Sequence, residues 1–363
     1  MSRTPIILHD LCSLPTAPFL EERVVDYVTD FVRQRPRLRL SRDPSGNLLI
    51  ELPGKQRNLP RWVFGAHMDH PGFVAKRMRD ARTLEADFRG HVLAEFIGHT
   101  KVRFFAADRE IPGQVLQVTG REEKRWLRKV HVRVQEEVPP GVLGMFDQGE
   151  GRIKGGKFYC RACDDVAGAA AALTMLDELH RTPPAAPIAV LLTRAEEEGF
   201  IGAIAASIQP KLLKKTDRII AIETSAMQPY APQGAGPIIR VGDRTSIFNS
   251  ALTYFLTQQA EAFQKRSRSF KYQRALMPGG TCEATVYDVY GFQASSICVA
   301  LGNYHNTDRE AGKIGPEYVD ISDWQNMVKL FVAIARHGHE YREGHHALRS
   351  RIEKRFKKVR KLL

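Results

Sequence analysis

APIAVLLTRAEEEGFIGA, residues 186 to 203, joins a buried strand to a cluster of acids. Ile188 to Leu192 is an unbroken apolar run, partly β-branched, of the kind that forms a strand covered on both faces. Glu196, Glu197 and Glu198 follow it, and then Gly199 and Gly202, spaced as a tight turn into a helix. A carboxylate at the mouth of a buried strand needs a partner, because an unpaired buried charge is expensive. That partner is a metal ion, an arginine or solvent. Taken alone, a solvated helix start explains the three acids equally well, since acids favour the positive end of a helix dipole.

Working outward, Trp62 to Ala66 reads as a second buried strand that delivers His67-Met-Asp69 at its end. Upstream, the pattern predicts helix over 5–34, with the stripe Val24, Val25, Val28 and Phe31, and short strands at 38–40 and 47–52. Downstream, Asp164-Asp-Val-Ala-Gly168 opens an Ala-rich helix, and Arg218-Ile-Ile-Ala-Ile-Glu223 reads as a strand. A helix near 246–268, the glycine turn Pro278-Gly-Gly280, a strand from Ser295 to Leu301 ahead of His305, and a helix over 322–337 complete the series. Strands alternating with helices predict an α/β fold with a mostly parallel sheet and helices on both faces. Ligands in such sheets bind beyond the carboxyl ends of the strands. His67, Glu196, Glu223 and His305 each fall just after a predicted strand.

Between Pro71 and Phe158 the helical periodicity disappears. Short alternating segments (Thr100 to Phe105, Gln114 to Val118, Val130 to Val134) are punctuated by Gly and Pro, which predicts a small all-β, barrel-like insertion. The expected organisation is a catalytic α/β domain of residues 1–70 and 159–363, a β domain of 71–158, and a basic helix over about 340–363.

Bulk composition sets the class. At 43% hydrophobic, a chain of 363 residues can bury a sizeable core. No apolar run approaches the roughly 18 residues of a membrane span, and none near the N-terminus has signal-peptide length. Five scattered cysteines, an odd number, suit a reducing compartment, so a cytoplasmic protein is expected. Net charge is +13, but residues 349–363 hold eight Lys or Arg against Glu353, a net +7. The basic character belongs mostly to this tail.

Two histidines and several carboxylates at one sheet edge suit a hydrolytic centre for Zn²⁺ or a similar divalent ion. The ligand count fits a pair of ions sharing one carboxylate, with a further carboxylate free to take a proton from water. In order and spacing, His67-Met-Asp69, Ala162-Cys-Asp-Asp165 with Gly168, Thr193 to Ala203, Ile222-Glu223, Gly279-Gly-Thr281 and His305 resemble the tetrahedral-aminopeptidase and glutamyl-aminopeptidase family of dinuclear zinc metallopeptidases. The resemblance extends to about residue 335, and an all-β insertion after the first histidine is also that family's arrangement.

The resemblance implies that Asp164 bridges two divalent metal ions (Zn, or Co or Mn), with His67 and Glu223 completing one site and Glu197 and His305 the other. It implies Glu196 as general base and Asp69 as the residue that orients the His67 imidazole. Peptide substrates and a homo-oligomer are implied as well. The sequence departs from the family pattern at His70, Val166, Glu198 and Glu223. A metal-dependent deacylase or carboxypeptidase acting on N-acyl amino acids is the alternative reading, and a catalytically silent binding protein that uses its basic tail is another.

Other features have plainer readings. Cys160 and Cys163 read as packed thiols, Asp165 as a helix N-cap, and His337, His339, His345 and His346 as a solvated group. Lys265 to Arg274 reads as a solvated basic run or as lining for the substrate entrance. In the tail, Leu348, Ile352, Phe356, Val359 and Leu363 recur at helical spacing. Docking on this domain or on another subunit is expected ahead of nucleic acid or a membrane surface.

Overall fold

The computed structural model describes residues 4–123, 125–209, 211–342 and 346–363, so His345 lies outside the described residues. The helical stretch over 5–34 consists of two helices, α1 (Thr4–Ser13) and α2 (Glu22–Arg33). Pro15 and Pro18 separate them, because neither has an N–H to continue the hydrogen-bond ladder. Short strands β1 (Arg39–Arg42) and β2 (Leu48–Leu52) lead to β3 (Trp62–His67).

Six strands follow: β4 (Gly72–Asp80), β5 (Thr83–Arg89), β6 (Lys101–Phe105), β7 (Glu110–Glu122), β8 (Trp126–Val134) and β9 (Leu143–Phe146). They close into a barrel in the order β4-β5-β8-β7-β6-β9. Its core includes Phe73, Phe88 and Phe146, with Phe73 edge-on to the other two at 4.9 and 5.2 Å between ring centroids. Strand β10 (Arg152–Lys154) falls within the expected insertion 71–158 and β11 (Lys157–Cys160) straddles its end, but both pair into the large sheet. The left-handed pair Gly155-Gly156 turns them into a hairpin, and β11 runs against a strand near the end of the chain.

The remainder comprises α3 (Val166–Leu179), β12 (Ile188–Thr193), α4 (Ile201–Ile208), β13 (Arg218–Ala226), β14 (Ile238–Gly242), α5 (Ser250–Arg266) and β15 (Gln273–Leu276). It continues with α6 (Glu283–Val289), β16 (Gln293–Gly302), β17 (Thr307–Asp308), β18 (Lys313–Ile314), β19 (Glu317–Asp320), α7 (Ile321–His337) and α8 (His346–Val359). The large sheet has the order β1-β2-β12-β3-β13-β16-β19-β11-β10. Its four central strands β12, β3, β13 and β16 are parallel, and antiparallel strands extend both sides.

Strand alternation divides the core. Ile188, Val190 and Leu192 join Trp62, Phe64 and Ala66 in the cluster beneath α1, α3, α5 and α7. Ala189, Leu191, Val63 and Ile219 turn the other way, onto Ala203 of α4 and Tyr287 of α6. Helices thus cover both faces, as the buried strands require.

Helix α3 buries five alanines, which let it lie close to the sheet, and its Ala167 carbonyl accepts from Trp324 Nε1 at 2.8 Å. At Gly168 a β-carbon would stand 2.3 Å from Asp165 Oδ1. Asp165 cannot swing away freely, because it is buried and accepts from the Thr224 hydroxyl at 2.7 Å. Gly168→Ala is therefore expected to destabilise the protein by about 1–3 kcal/mol, read as a lower thermal midpoint. An unchanged midpoint would show that the Asp165 side chain adapts.

Candidate metal centre

The centre forms where the parallel strands end. His67 is the last residue of β3, and Asp164 and Asp165 immediately precede α3. Glu196 to Glu198 form one tight turn after β12, bracketed by the left-handed residues Ala195 and Gly199. His305 follows β16 in a turn whose Asn303, His305 and Asn306 are all left-handed. Glu223 departs from expectation, for it lies within β13 rather than after it. The pairing of β13 with β3 stops at Ala221, so Glu223 stands beyond the end of that neighbour while still bonded to β16.

These residues converge. Ligand atoms of His67, Asp164 and Glu223 lie within 4.8 Å of one another, as do those of Asp164, Glu197 and His305. Asp164 belongs to both groups: Oδ1 is 3.6 Å from His67 Nε2 and Oδ2 is 3.7 Å from His305 Nε2. Asp164 Oδ1 is buried without a hydrogen-bond partner, and the buried Glu197 Oε1 faces His305 Nε2 at 3.0 Å. His67, Glu196 and Glu197 also form a group within that distance. Glu196 lines a cavity of about 760 Å³ together with Glu197, Tyr304, His305 and, from the barrel, His91 and Trp126.

Outer partners hold each group in place. His305 Nδ1 meets the His91 carbonyl at 2.8 Å, which leaves Nε2 facing the centre. His67 Nδ1 lies 3.1 Å from the Asp69 carbonyl and 3.5 Å from its Oδ1. The Asp69 carboxylate does more than face His67. Its oxygens accept from the backbone N–H of Glu196 and Glu197 at 3.0 and 3.1 Å, which fixes the glutamate turn. Asp165 makes no side-chain cap to α3 and is a buried carboxyl instead, pushed well up by burial.

Sequence reasoning missed Glu317, whose Oε2 accepts from the N–H of Cys163 and Asp164 at 2.7 and 3.1 Å. Two departures from the family pattern acquire roles. The buried His70 joins the Asp164 carbonyl at 2.8 Å to Asn306 Oδ1 at 3.0 Å, tying the Asp164 loop to the His305 loop. Glu198 accepts from Gly90 N–H at 2.7 Å and so ties the glutamate turn to the barrel. Glu283 is another unanticipated buried acid, bonded by the Tyr287 hydroxyl and pushed by burial up to about 7.

All five cysteines are unpaired and buried. Burial pushes the Cys160 thiol up to about 11 and Cys163 well up, as inert packed thiols require. The run Lys265 to Arg274 does not line the cavity. It closes α5 and enters β15, and in the loop between them Lys271 Nζ donates to the Gly234 carbonyl.

The electrostatics predict how an ion competes with protons. Burial alone would lower the His305 imidazole, but Glu197 and Asp164 outweigh it and hold it at about 9. Burial, then Asp164, pushes Glu223 up to about 8. Burial opposes ionisation of Glu197, yet the neighbouring His305 at 3.0 Å wins and holds it at about 2. Burial would lower the His67 imidazole too, but Glu196 and Asp164 outweigh it and hold it well up. Without metal, His67, His305 and Glu223 therefore each carry a proton at pH 7 that the ligated ions must displace. Apparent metal affinity should rise with pH up to about 8 to 9, and below that window fall by roughly tenfold per unit for each proton an ion displaces. Calorimetry in two buffers of different ionisation enthalpy counts the released protons. Release of none would contradict this reading.

A half-parallel α/β sheet with an inserted barrel, and imidazoles and carboxylates around an open cavity, define a metal-dependent hydrolase. The M42 glutamyl aminopeptidase family model matches residues 46–330, and the chain belongs to that family of metallo-aminopeptidases. The fold is shared with solved structures of low sequence identity. Aminopeptidase APDkam598 from the archaeon Desulfurococcus kamchatkensis has a TM-score of 0.76 at 21% identity, covering 92% of this chain and 94% of that one. The Pyrococcus horikoshii TET1 peptidase gives 0.75 at 20%, covering 92% and 99%. The TET aminopeptidase from Thaumarchaeota archaeon SCGC AB-539-E09 gives 0.77 at 16%, covering 92% and 97%. No curated protein matches the chain.

Proposed function

We propose that the chain is a two-metal aminopeptidase that removes N-terminal residues from peptides. The observation that carries this reading is Asp164, whose two oxygens each face a different histidine while Oδ1, though buried, accepts no hydrogen bond. In this reading His67, Asp164 and Glu223 hold one divalent ion, and Asp164, Glu197 and His305 the other. The donor set of imidazole and carboxylate fits Zn²⁺, and also Co²⁺ or Mn²⁺. When bound, the ions polarise the scissile carbonyl, acidify the attacking water and anchor the free amino terminus.

The chain's own residues do the rest. Glu196 takes the water's proton and passes it to the leaving amine nitrogen. Asp69 holds the Glu196 backbone, and so aims that carboxylate into the cavity. The His91 carbonyl and the Asp69 carbonyl orient the two imidazoles.

Among the described residues no helix is long and apolar enough to cross a membrane. We place the protein in the cytoplasm as a homo-oligomer. The Pyrococcus horikoshii TET1 peptidase, which shares the fold, assembles into a tetrahedron or a large octahedral shell. The deciding experiment assays N-terminal aminoacyl-arylamides beside N-acetylated amino acids, with Zn²⁺, Co²⁺ or chelator. Metal-dependent release from free-amine substrates alone is expected. Activity only on acylated substrates would move the protein to the deacylase class.

A further inference from the structure

Two surface features lie outside the centre, and each lacks what the other offers. The first is α8. Leu348, Ile352, Phe356 and Val359 recur at intervals of four, four and three and so share one stripe. Ile352 is 60% exposed and Phe356 53%. Arg351, Arg355 and Lys358 flank the stripe on one side, and Arg349 and Arg360 on the other. Every residue from Arg349 to Leu363 is exposed. The helix also lies beyond residue 330, where the family match ends.

The second feature is a groove of about 480 Å³ between α1 and α2. Ile6, Ile7, Tyr27 and Phe31 make it apolar, and Asp10, Asp30 and Asp177 make it acidic. Among the described residues its one lining cation is Arg35, engaged by Asp177 at 2.6 Å and by the face of the Phe31 ring, and at the exposed rim Arg33 pairs with Asp30 at 3.0 Å. Ile6 is 52% exposed at the groove's edge.

From this complementarity we infer that α8 of one copy docks into the α1–α2 groove of a second copy. The stripe supplies large apolar side chains for the floor, and its flanking Arg and Lys meet the aspartates on the rim. Position agrees as well. Asp177 and Glu178 lie in the last turn of α3, and Glu178 pairs with Arg336 in the last turn of α7 at 3.2 Å. The groove and the root of α8 therefore share one end of the molecule, so two copies can exchange helices about a twofold axis. Among the described residues none of the groove's lining belongs to α8, which leaves the groove for a neighbour's helix. A nucleic acid would use the basic residues but not the apolar stripe, and an anionic membrane would leave the acidic groove unused. The inference is independent of the reaction proposed above.

The test uses full-length chains in two populations with different affinity tags, one carrying Gln34→Cys beside the groove and the other Arg355→Cys on α8. The native cysteines are all buried, so a short bismaleimide reports only this pair. Cross-linking between differently tagged chains is expected. It should fall by about tenfold or more with Asp10→Lys and Asp30→Lys, and return when Arg351→Glu and Lys358→Glu are added on α8. Unchanged circular dichroism excludes misfolding of the variants. Absence of a cross-link between chains, or one indifferent to the charge reversals, overturns the inference. So does full-length protein that floats with phosphatidylserine vesicles while forming no such cross-link, because the occupant of the stripe is then a membrane.

Discussion

Glu196→Gln is expected to lower kcat on an aminoacyl-arylamide by about 10²–10⁴-fold while leaving the metal content of the purified protein unchanged. The substitution keeps shape but removes the negative charge and the capacity to accept a proton. Its backbone N–H stays anchored on Asp69 at 3.0 Å, so the turn should hold. Burial is the main influence that raises the Glu196 carboxyl, Glu223 and Glu197 add to it, and His67 opposes. A carboxylate raised in this way is a stronger base than one in water, which suits proton abstraction. Steady-state kinetics with metal analysis on the same sample separates the possibilities. Loss of activity with both ions retained supports the base. Loss of an ion along with activity would make Glu196 a ligand, an outcome its grouping with His67 and Glu197 makes worth measuring.

The sequence made this juxtaposition legible because the local pattern and the topological rule agree. Ile188 to Leu192 and Trp62 to Ala66 are strands by composition alone, and parallel strands deliver their last residues to one edge. His67, Glu196 and Glu197 followed from that reasoning, and His305 followed from the strand ahead of it. The supporting residues did not. Glu317 reaches the Asp164 amide across 153 positions of chain, and His91 reaches His305 across 214, and neither distance leaves a trace in local periodicity. Strands β14 and β15 were missed for another reason. Only four residues of β15 pair, half of them exposed, so the period-two signal is too short to see. The helical character expected over 5–34 is present, but its interruption around Pro15 and Pro18 is set by the prolines rather than by the apolar stripe. Glu198 reads as one more surface acid until the barrel is in place, since its partner Gly90 belongs to another element.

Asp164→Asn is expected to have the broader effect, removing both ions rather than one. The Asp164 backbone is clamped on two sides, its N–H by Glu317 and its carbonyl by His70, whereas its carboxylate is left facing two histidines. Asparagine can keep the backbone contacts, but offers one oxygen and turns an NH₂ donor toward one imidazole. It also removes the negative charge the two sites share. Each site then loses a ligand, and affinity should fall by more than the roughly 10–100-fold seen when only an outer partner is removed. Differential scanning fluorimetry reads this directly. A ligand at 100 times its Kd stabilises the folded state by about 2.7 kcal/mol, so wild type should gain several degrees on adding Zn²⁺. The Asp164→Asn protein should gain almost nothing, and its metal-free midpoint should stay within a few degrees of wild type because the substitution is isosteric. Retention of one ion at full strength would break the case for a shared carboxylate and leave two independent sites. A collapsed metal-free midpoint would instead assign Asp164 to the architecture of the loop.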